Sequence, residues 1–321
     1  MRAMRLTEFA GPGALRLDEI EEPRDARRVL VELDAAGVSF PDLLQSQGLY
    51  QIKRELPCVL GTEGAGTIRA APADSGFTAG QRVAVLASAG AWQQVVAVDP
   101  ASVLPLPDRV PLTAAAGLPL NYLTGHFALW RRAKAEPGET VLVHGAAGGV
   151  GVAALNLCRA WGLRAIAVVS DERKAKVAAA EGADHVVFAD GWLDAVREYT
   201  GGRGVNIVLD PVGGDRFTDS LRSLAPEGRV VVLGFTGGGI PTVKVNRLLL
   251  NNISVIGAGW GEVLRQEPGY ARRQWDQLYP LLADGRLRVT EPEVRPLAQA
   301  ADALEALANR TVTGKLVLSL R

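Results

Sequence analysis

At 321 residues, 48% of them hydrophobic, the chain is long enough for roughly two domains with substantial cores. Lys plus Arg total 35 and Asp plus Glu total 35, a neutral balance that argues against nucleic-acid or anionic-membrane partners. No apolar run approaches the roughly 20 residues of a membrane span, the opening Met-Arg-Ala-Met-Arg-Leu lacks the apolar core of a signal peptide, and two cysteines build no disulfide framework. The expectation is a cytoplasmic protein in which Cys58 and Cys158 are small buried hydrophobes.

Residues 1–120 read as β-rich, with runs such as Val29–Leu33 and Arg82–Leu86 between Gly, Pro and Asp turns and little helical periodicity. This predicts a partly open β-barrel. Two stretches stand out within it: 35–44 with the following Gly48-Leu49-Tyr50, and Pro57–Ile68, which includes Gly61-Thr62-Glu63-Gly64-Ala65-Gly66. Glu63 among apolar and glycine residues is costly to bury alone, so an Arg or backbone donors are expected to pair with it.

From about residue 120 strands and helices alternate. A strand over 141–145 runs into Gly145-Ala146-Ala147-Gly148-Gly149-Val150-Gly151 and a helix over 150–161. Glycines at 145, 148 and 151 permit a tight turn and bring backbone N–H groups close to a pyrophosphate, with the helix N-terminus aimed at the same anion. Strands over 164–170, 186–188, 205–210, 229–234 and 253–256, with helices near 172–181, 192–200 and 215–223, predict a doubly wound parallel sheet. Asp210, Gly234, Phe235 and Thr236 then fall at strand ends on the ligand side. The second strand ends at Ser170, with Arg173 and Lys174 in the next turn; a hydroxyl and two cations suit a 2′-phosphate and favour NADPH. Asp171 leaves two readings open, a helix cap or a ribose partner that would admit NADH. Beyond about 264, helices around 275–282 and 297–308 and a strand over 313–318 return to the first domain. The expected domains are therefore 1–120 with 264–321, and 121–263.

Gly61-Thr62-Glu63-Gly64-Ala65-Gly66 is similar to the G-H-E-G-A-G signature of medium-chain alcohol dehydrogenases, and residues 35–44 resemble the segment that carries their first catalytic zinc ligand. The Gly-Ala-Ala-Gly-Gly-Val-Gly loop and Asn121-Tyr122-Leu123-Thr124-Gly125 resemble the zinc-free quinone oxidoreductase branch of the medium-chain dehydrogenase/reductase superfamily, and the likeness runs end to end. It implies an α/β Rossmann domain beside a discontinuous GroES-like barrel, an active site in the cleft between them, and a homodimer formed through the cofactor-domain edge strand near 253–258. An apolar edge strand also needs covering on physical grounds. The zinc-ligand positions hold Ser39, Thr62 and, near the third, Leu120; one surviving carboxylate, Glu63, does not hold zinc, so no metal is expected.

Without a Lewis acid, hydride transfer to a quinone or an α,β-unsaturated carbonyl is the easier chemistry, because the acceptor is already electrophilic and the protein need only position it and stabilise an oxyanion. The resemblance places Ser39 and Thr124 beside the nicotinamide, Ser39 standing where an Asn is usual, and Lys174 on the 2′-phosphate. The expected cofactor contacts are Ser39, Thr124, Gly145, Ala147, Gly148, Gly149, Val150, Ser170, Arg173, Lys174, Asp210, Gly234, Phe235 and Thr236; Tyr50 and Thr124 are the catalytic candidates, with Tyr50 bonding the substrate. Two further readings stand beside this one: an enoyl-thioester or alkenal reductase, and an NADPH-binding protein without turnover. His126 and His144 read as packed residues and His185 as exposed.

Overall fold

The computed structural model describes residues 1–87 and 90–321. The chain divides into one unit made of Met1–Asn121 and Pro268–Arg321 and a second made of Tyr122–Glu267.

The first unit is built on the ten-residue strand Val29–Val38, whose alternating Val29, Val31 and Leu33 are buried. One edge of it pairs antiparallel with Glu63–Ala70. The other edge pairs first with Val95–Val98 and then, from Ala35 to Val38, with the C-terminal strand Leu316–Ser319. Arg82–Leu86 and Val103–Pro105 extend the sheet on one side and Glu293–Pro296 on the other, and Leu15–Glu19, Arg2–Leu6 and Cys58–Val59 form a separate three-stranded sheet. Trp92, Ile68, Leu304 and Leu316 fill the core between them. The helices Phe40–Ser46 and Leu112–Ala115 interrupt what the sequence suggests is wholly β-rich. Both are too short to show a periodicity of 3.6 residues.

The second unit carries a six-stranded sheet in the order His185–Phe188, Arg164–Val169, Thr140–His144, Val205–Asp210, Leu224–Val232, Ser254–Gly257. All neighbours are parallel, and Leu142, Ile166, Val208, Val230 and Phe217 form its core. This is the expected doubly wound sheet, with differences at the ends of elements. The fifth strand starts at Leu224 rather than 229, and the register slips between Val205 and Ile207. The helix expected over 215–223 is a 3-10 turn, Gly214–Arg216, followed by a helix over Phe217–Arg222. The last strand of the first unit begins at Leu316, because Gly314 takes φ 67°.

Gly66 shows how closely the first sheet is built: a Cβ there would overlap the Glu32 carbonyl and lie 2.7 Å from Leu33 Cα. Gly66→Ala should cost roughly 1–3 kcal/mol in urea unfolding through overpacking. Gly13→Ala, where nothing lies within 4 Å, should change stability by less than about 0.5 kcal/mol.

Candidate active site

In the second unit, the strand Thr140–His144 turns at Gly145, φ 59°, and Gly148 stands before the helix Gly149–Ala160. Gly148 N–H closes the turn onto Gly145 O at 2.9 Å. Gly149 and Val150 open the helix, where backbone N–H groups have no intrahelical acceptor and face outward as anion donors. Gly151 sits against the Gly145 carbonyl and Ala146, where any Cβ would overlap backbone. Helix and loop therefore approach each other as a dinucleotide turn requires. Ala147 is buried beneath the loop, and Gly145 is exposed at its tip.

The neighbouring strand Arg164–Val169 ends at an exposed Ser170. Lys174 Nζ donates to Ser170 Oγ at 2.8 Å, and Ser170 Oγ reaches Asp171 Oδ2 at 2.8 Å. Asp171 Oδ1 accepts Lys174 N–H at 3.0 Å and so caps the helix Glu172–Ala180. That N–H, then the Ser170 hydroxyl, holds the Asp171 carboxyl below its usual range. The helix cap, one of its two sequence readings, is formed. Arg173 is exposed on the same first turn.

Asp210, at the end of the next strand, is fully buried. Its Oδ1 accepts the N–H groups of Val212 at 2.9 Å and Gly213 at 2.8 Å, and burial raises its pKa above the usual carboxylate range. Its Oδ2 has no hydrogen-bond partner among the described residues. The side chain thus shapes the turn after the strand rather than lying open on the surface. Thr236 Oγ1 donates to Pro211 O at 3.0 Å and Gly237 N–H to Val212 O at 2.8 Å, which ties Gly234–Gly237 to that turn, with Phe235 40% exposed. Val212 lies 3.4 Å from where a Gly145 Cβ would be. The loop, the Ser170–Lys174 pair and both strand-end turns thus gather at the C-terminal ends of the strands. Thr124, half-buried, lies on the helix Pro119–His126, whose Gly125 faces Leu157 of the loop helix.

In the first unit the register decides the site. Leu316 pairs with Val38, so Lys315 arrives beside Ser39; Ala36 pairs with Gly64, so Glu63 faces Gly37. A Cβ on Gly37 would lie 2.6 Å from Glu63 Cγ, and a Cβ on Gly117 would run into the Lys315 stem. Both glycines make room for one buried cluster. Lys315 Nζ donates to Glu63 Oε1 at 2.5 Å and to Ser39 Oγ at 3.0 Å. Ser39 Oγ lies 3.3 Å from the same Oε1, and Glu63 Oε2 accepts Leu120 N–H at 2.7 Å, in the first turn of the helix Pro119–His126. Glu63 is fully buried and has both expected kinds of partner, although its cation is a lysine and not an arginine.

Asp42 Oδ2 accepts Ser39 N–H at 2.8 Å. Burial pushes its carboxyl up to about 7, against the opposing pull of Lys315. Asp42 Oδ1 and the Thr62 hydroxyl have no hydrogen-bond partner among the described residues. Tyr50 is half-buried, and its phenol is pushed up by burial and then by the Asp42 charge. It lines a shallow hollow with Phe9, Ile52, Arg54 and Cys58. Sequence reasoning missed Lys315 and Asp42; the one usable signal was that Glu63 needed a cation.

The three histidines have other neighbours. His126 is buried beside Trp130 and Trp161. His144 is buried against Ser220 Oγ at 2.9 Å and is pushed down to about 3 by burial. His185, expected to be exposed, is half-covered by stacking on Tyr199 at 4.2 Å. Cys158 is buried, whereas Cys58, at the rim of the hollow, is half-buried.

Two family models match the chain: an alcohol dehydrogenase GroES-like domain over residues 25–108 and a zinc-binding dehydrogenase over 149–284. Bovine quinone oxidoreductase-like protein 2 is 37% identical over 100% of this chain and 93% of its own length. A probable oxidoreductase from Mycobacterium abscessus is 41% identical, with a TM-score of 0.89 over 99% of this chain and 98% of that one. The quinone oxidoreductase of Thermus thermophilus, also solved in complex with NADPH, is 33% identical, with a TM-score of 0.86 over 100% of both chains. Fold, glycine loop and these relatives together place the chain in the medium-chain dehydrogenase/reductase superfamily, in its quinone oxidoreductase-like branch. Zinc, which the name of the second family model implies, needs three ligands of the Cys, His or carboxylate type. Ser39, Thr62 and Leu120 offer none, and Glu63 is already bonded to an ammonium and a backbone N–H, so these residues do not fit the metal. Among the described residues no helix is long and apolar enough to cross a membrane.

Asp42 makes stability depend on pH. Its folded pKa lies above the ordinary value of 3.8, so its contribution is fully present below about 3.8 and is lost as pH rises through about 7. Asp42→Asn removes the titration. The melting temperature of the variant minus that of the wild type should therefore grow between pH 4 and pH 8, and an unchanged difference would refute the assignment.

Proposed function

We propose that the chain is a zinc-independent, NADPH-dependent oxidoreductase that transfers hydride to quinones or α,β-unsaturated carbonyls. The observation that carries the cofactor choice is the Lys174 ammonium on the Ser170 hydroxyl, one strand away from the glycine loop, with Asp171 engaged as a helix cap. The NADPH complex of the Thermus thermophilus relative supports the same choice. Gly145 and Gly148 shape the turn, the backbone N–H groups of Ala147, Gly149 and Val150 hold the pyrophosphate, and Ser170, Arg173 and Lys174 hold the 2′-phosphate. Gly234, Phe235 and Thr236, on the turn tied to the one that Asp210 shapes, line the same end of the sheet. Ser39 and Thr124 face the nicotinamide and Tyr50 bonds the substrate. Bound NADPH supplies the hydride. The protein orients the acceptor, excludes water and offers hydroxyl donors to the developing oxyanion. A lysine bonded to Ser39, in place of a metal, favours acceptors that are conjugated already.

A screen of NADPH consumption against 1,4-benzoquinone, 9,10-phenanthrenequinone, short enals and enoyl thioesters tests the reading. Turnover with at least one class, and NADH much poorer, is the expected result; binding of NADPH with no turnover on any of them would leave a binding protein instead. Lys174→Ala should raise the KM for NADPH about tenfold and leave that for NADH nearly unchanged, since it removes one charge-assisted contact.

A homodimer through the edge strand Ser254–Gly257 belongs to the same proposal. Val255 there is 36% exposed, and Leu249 and Leu250 nearby are 77% and 76% exposed, more apolar surface than an unpaired edge tolerates. Val255→Asp should weaken association by about tenfold or more, read by sedimentation; an unchanged mass would count against the interface.

A further inference from the structure

We propose that Lys315 supplies, through the Ser39 hydroxyl, the proton that completes the reduction. The inference rests on the reading above, in which Ser39 faces the nicotinamide. Reduction of a conjugated carbonyl by hydride leaves an oxyanion on the acceptor, an enolate or a hydroquinone monoanion, and a proton must follow the electron pair. Tyr50 offers a hydrogen bond at the substrate, and two of the histidines are placed elsewhere. His144 is buried in the second unit's sheet against Ser220, and His126 is packed among tryptophans.

The cluster at Ser39 has the connectivity of a relay. Lys315 Nζ donates to Ser39 Oγ at 3.0 Å. This occupies an acceptor site on the hydroxyl and leaves its own proton aimed at Glu63 Oε1 over a long 3.3 Å. An oxyanion is a better acceptor than that distant carboxylate, which Lys315 and Leu120 already satisfy. As the Ser39 O–H bond breaks toward the substrate, a Lys315 N–H bond breaks and its proton re-forms the hydroxyl. Lysine is left as the neutral amine and recovers its proton from water. The ammonium can reach water, because its side chain is 12% exposed, whereas Glu63 is sealed at 0%. Asp42 adds a second carboxylate to the same neighbourhood and fixes the Ser39 backbone. A purely structural ion pair needs the ammonium on Glu63 alone; the bond to Ser39 is the extra feature.

Lys315→Arg tests the relay, because it keeps the charge but offers no transferable proton at neutral pH. The variant should lose about 10²-fold in kcat with a quinone or enal, the size of a general-acid contribution. The Kd for NADPH, by fluorescence, should stay within twofold. A solvent isotope effect on kcat should be present in the wild type and should fall in Ser39→Ala. Independently of turnover, 15N-lysine NMR should show a protected ammonium signal that is absent in Lys315→Arg and displaced in Ser39→Ala. If Lys315→Arg fails to fold, the paired variant Lys315→Met with Glu63→Gln, which removes both members of the ion pair together, should show the same loss in kcat. A foldable variant with wild-type kcat would overturn the relay alone. A wild type that binds NADPH but oxidises it with no acceptor would overturn the reading beneath it, and the relay too.

Discussion

The carboxylate of Glu63 is the interaction on which the first unit's architecture turns. A charge with no exposed surface survives only if it is paired and hydrogen-bonded, and Glu63 meets that demand by drawing three distant parts of the chain together. Lys315 comes from the C-terminal strand, Leu120 N–H from the first turn of the helix Pro119–His126, and Ser39 from the end of the longest strand. Losing one partner of such a pair typically costs about 3–5 kcal/mol, because the other charge stays buried. The glycines at 37 and 117 follow from the same demand, since side chains there would occupy the space of Glu63 and Lys315.

The same pairing changes the local chemistry. In a metal-dependent relative of this fold, the corner would need thiolate and imidazole ligands; here it holds a hydroxyl, a threonine and a leucine beside a fixed ammonium. Positive charge is present, but it is covalently tethered and already compensated. In the proposed function, such a corner suits acceptors that need orientation and a hydrogen bond more than strong polarisation.

The second unit is built on a different constraint. Its parallel strands end in turns that the strand order brings side by side, with the N-terminus of the helix Gly149–Ala160 among them. Asp171 and Asp210 are used internally, one closing a helix start and the other a turn, so two acidic residues near the cofactor edge serve the scaffold.

Much of this was legible in the chain alone. The glycine rhythm at 145, 148 and 151, the apolar strands and the Ser170–Lys174 pairing of residue types depend on neighbours within a few positions, where sterics and backbone hydrogen bonding act directly. The short helix Phe40–Ser46 and the early start of the strand at Leu224 were not legible, because tertiary packing outweighs local preference in elements so short. Glu63 announced its need for a cation but not which one. Lys315 lies 252 residues further along, and only the register that sets Leu316 against Val38 brings it to Ser39. Fold class and cofactor loop were written in local residue order. The partners of the buried charges were chosen by the folded chain, since desolvation sets the demand at one residue while strand pairing selects which distant residue answers it.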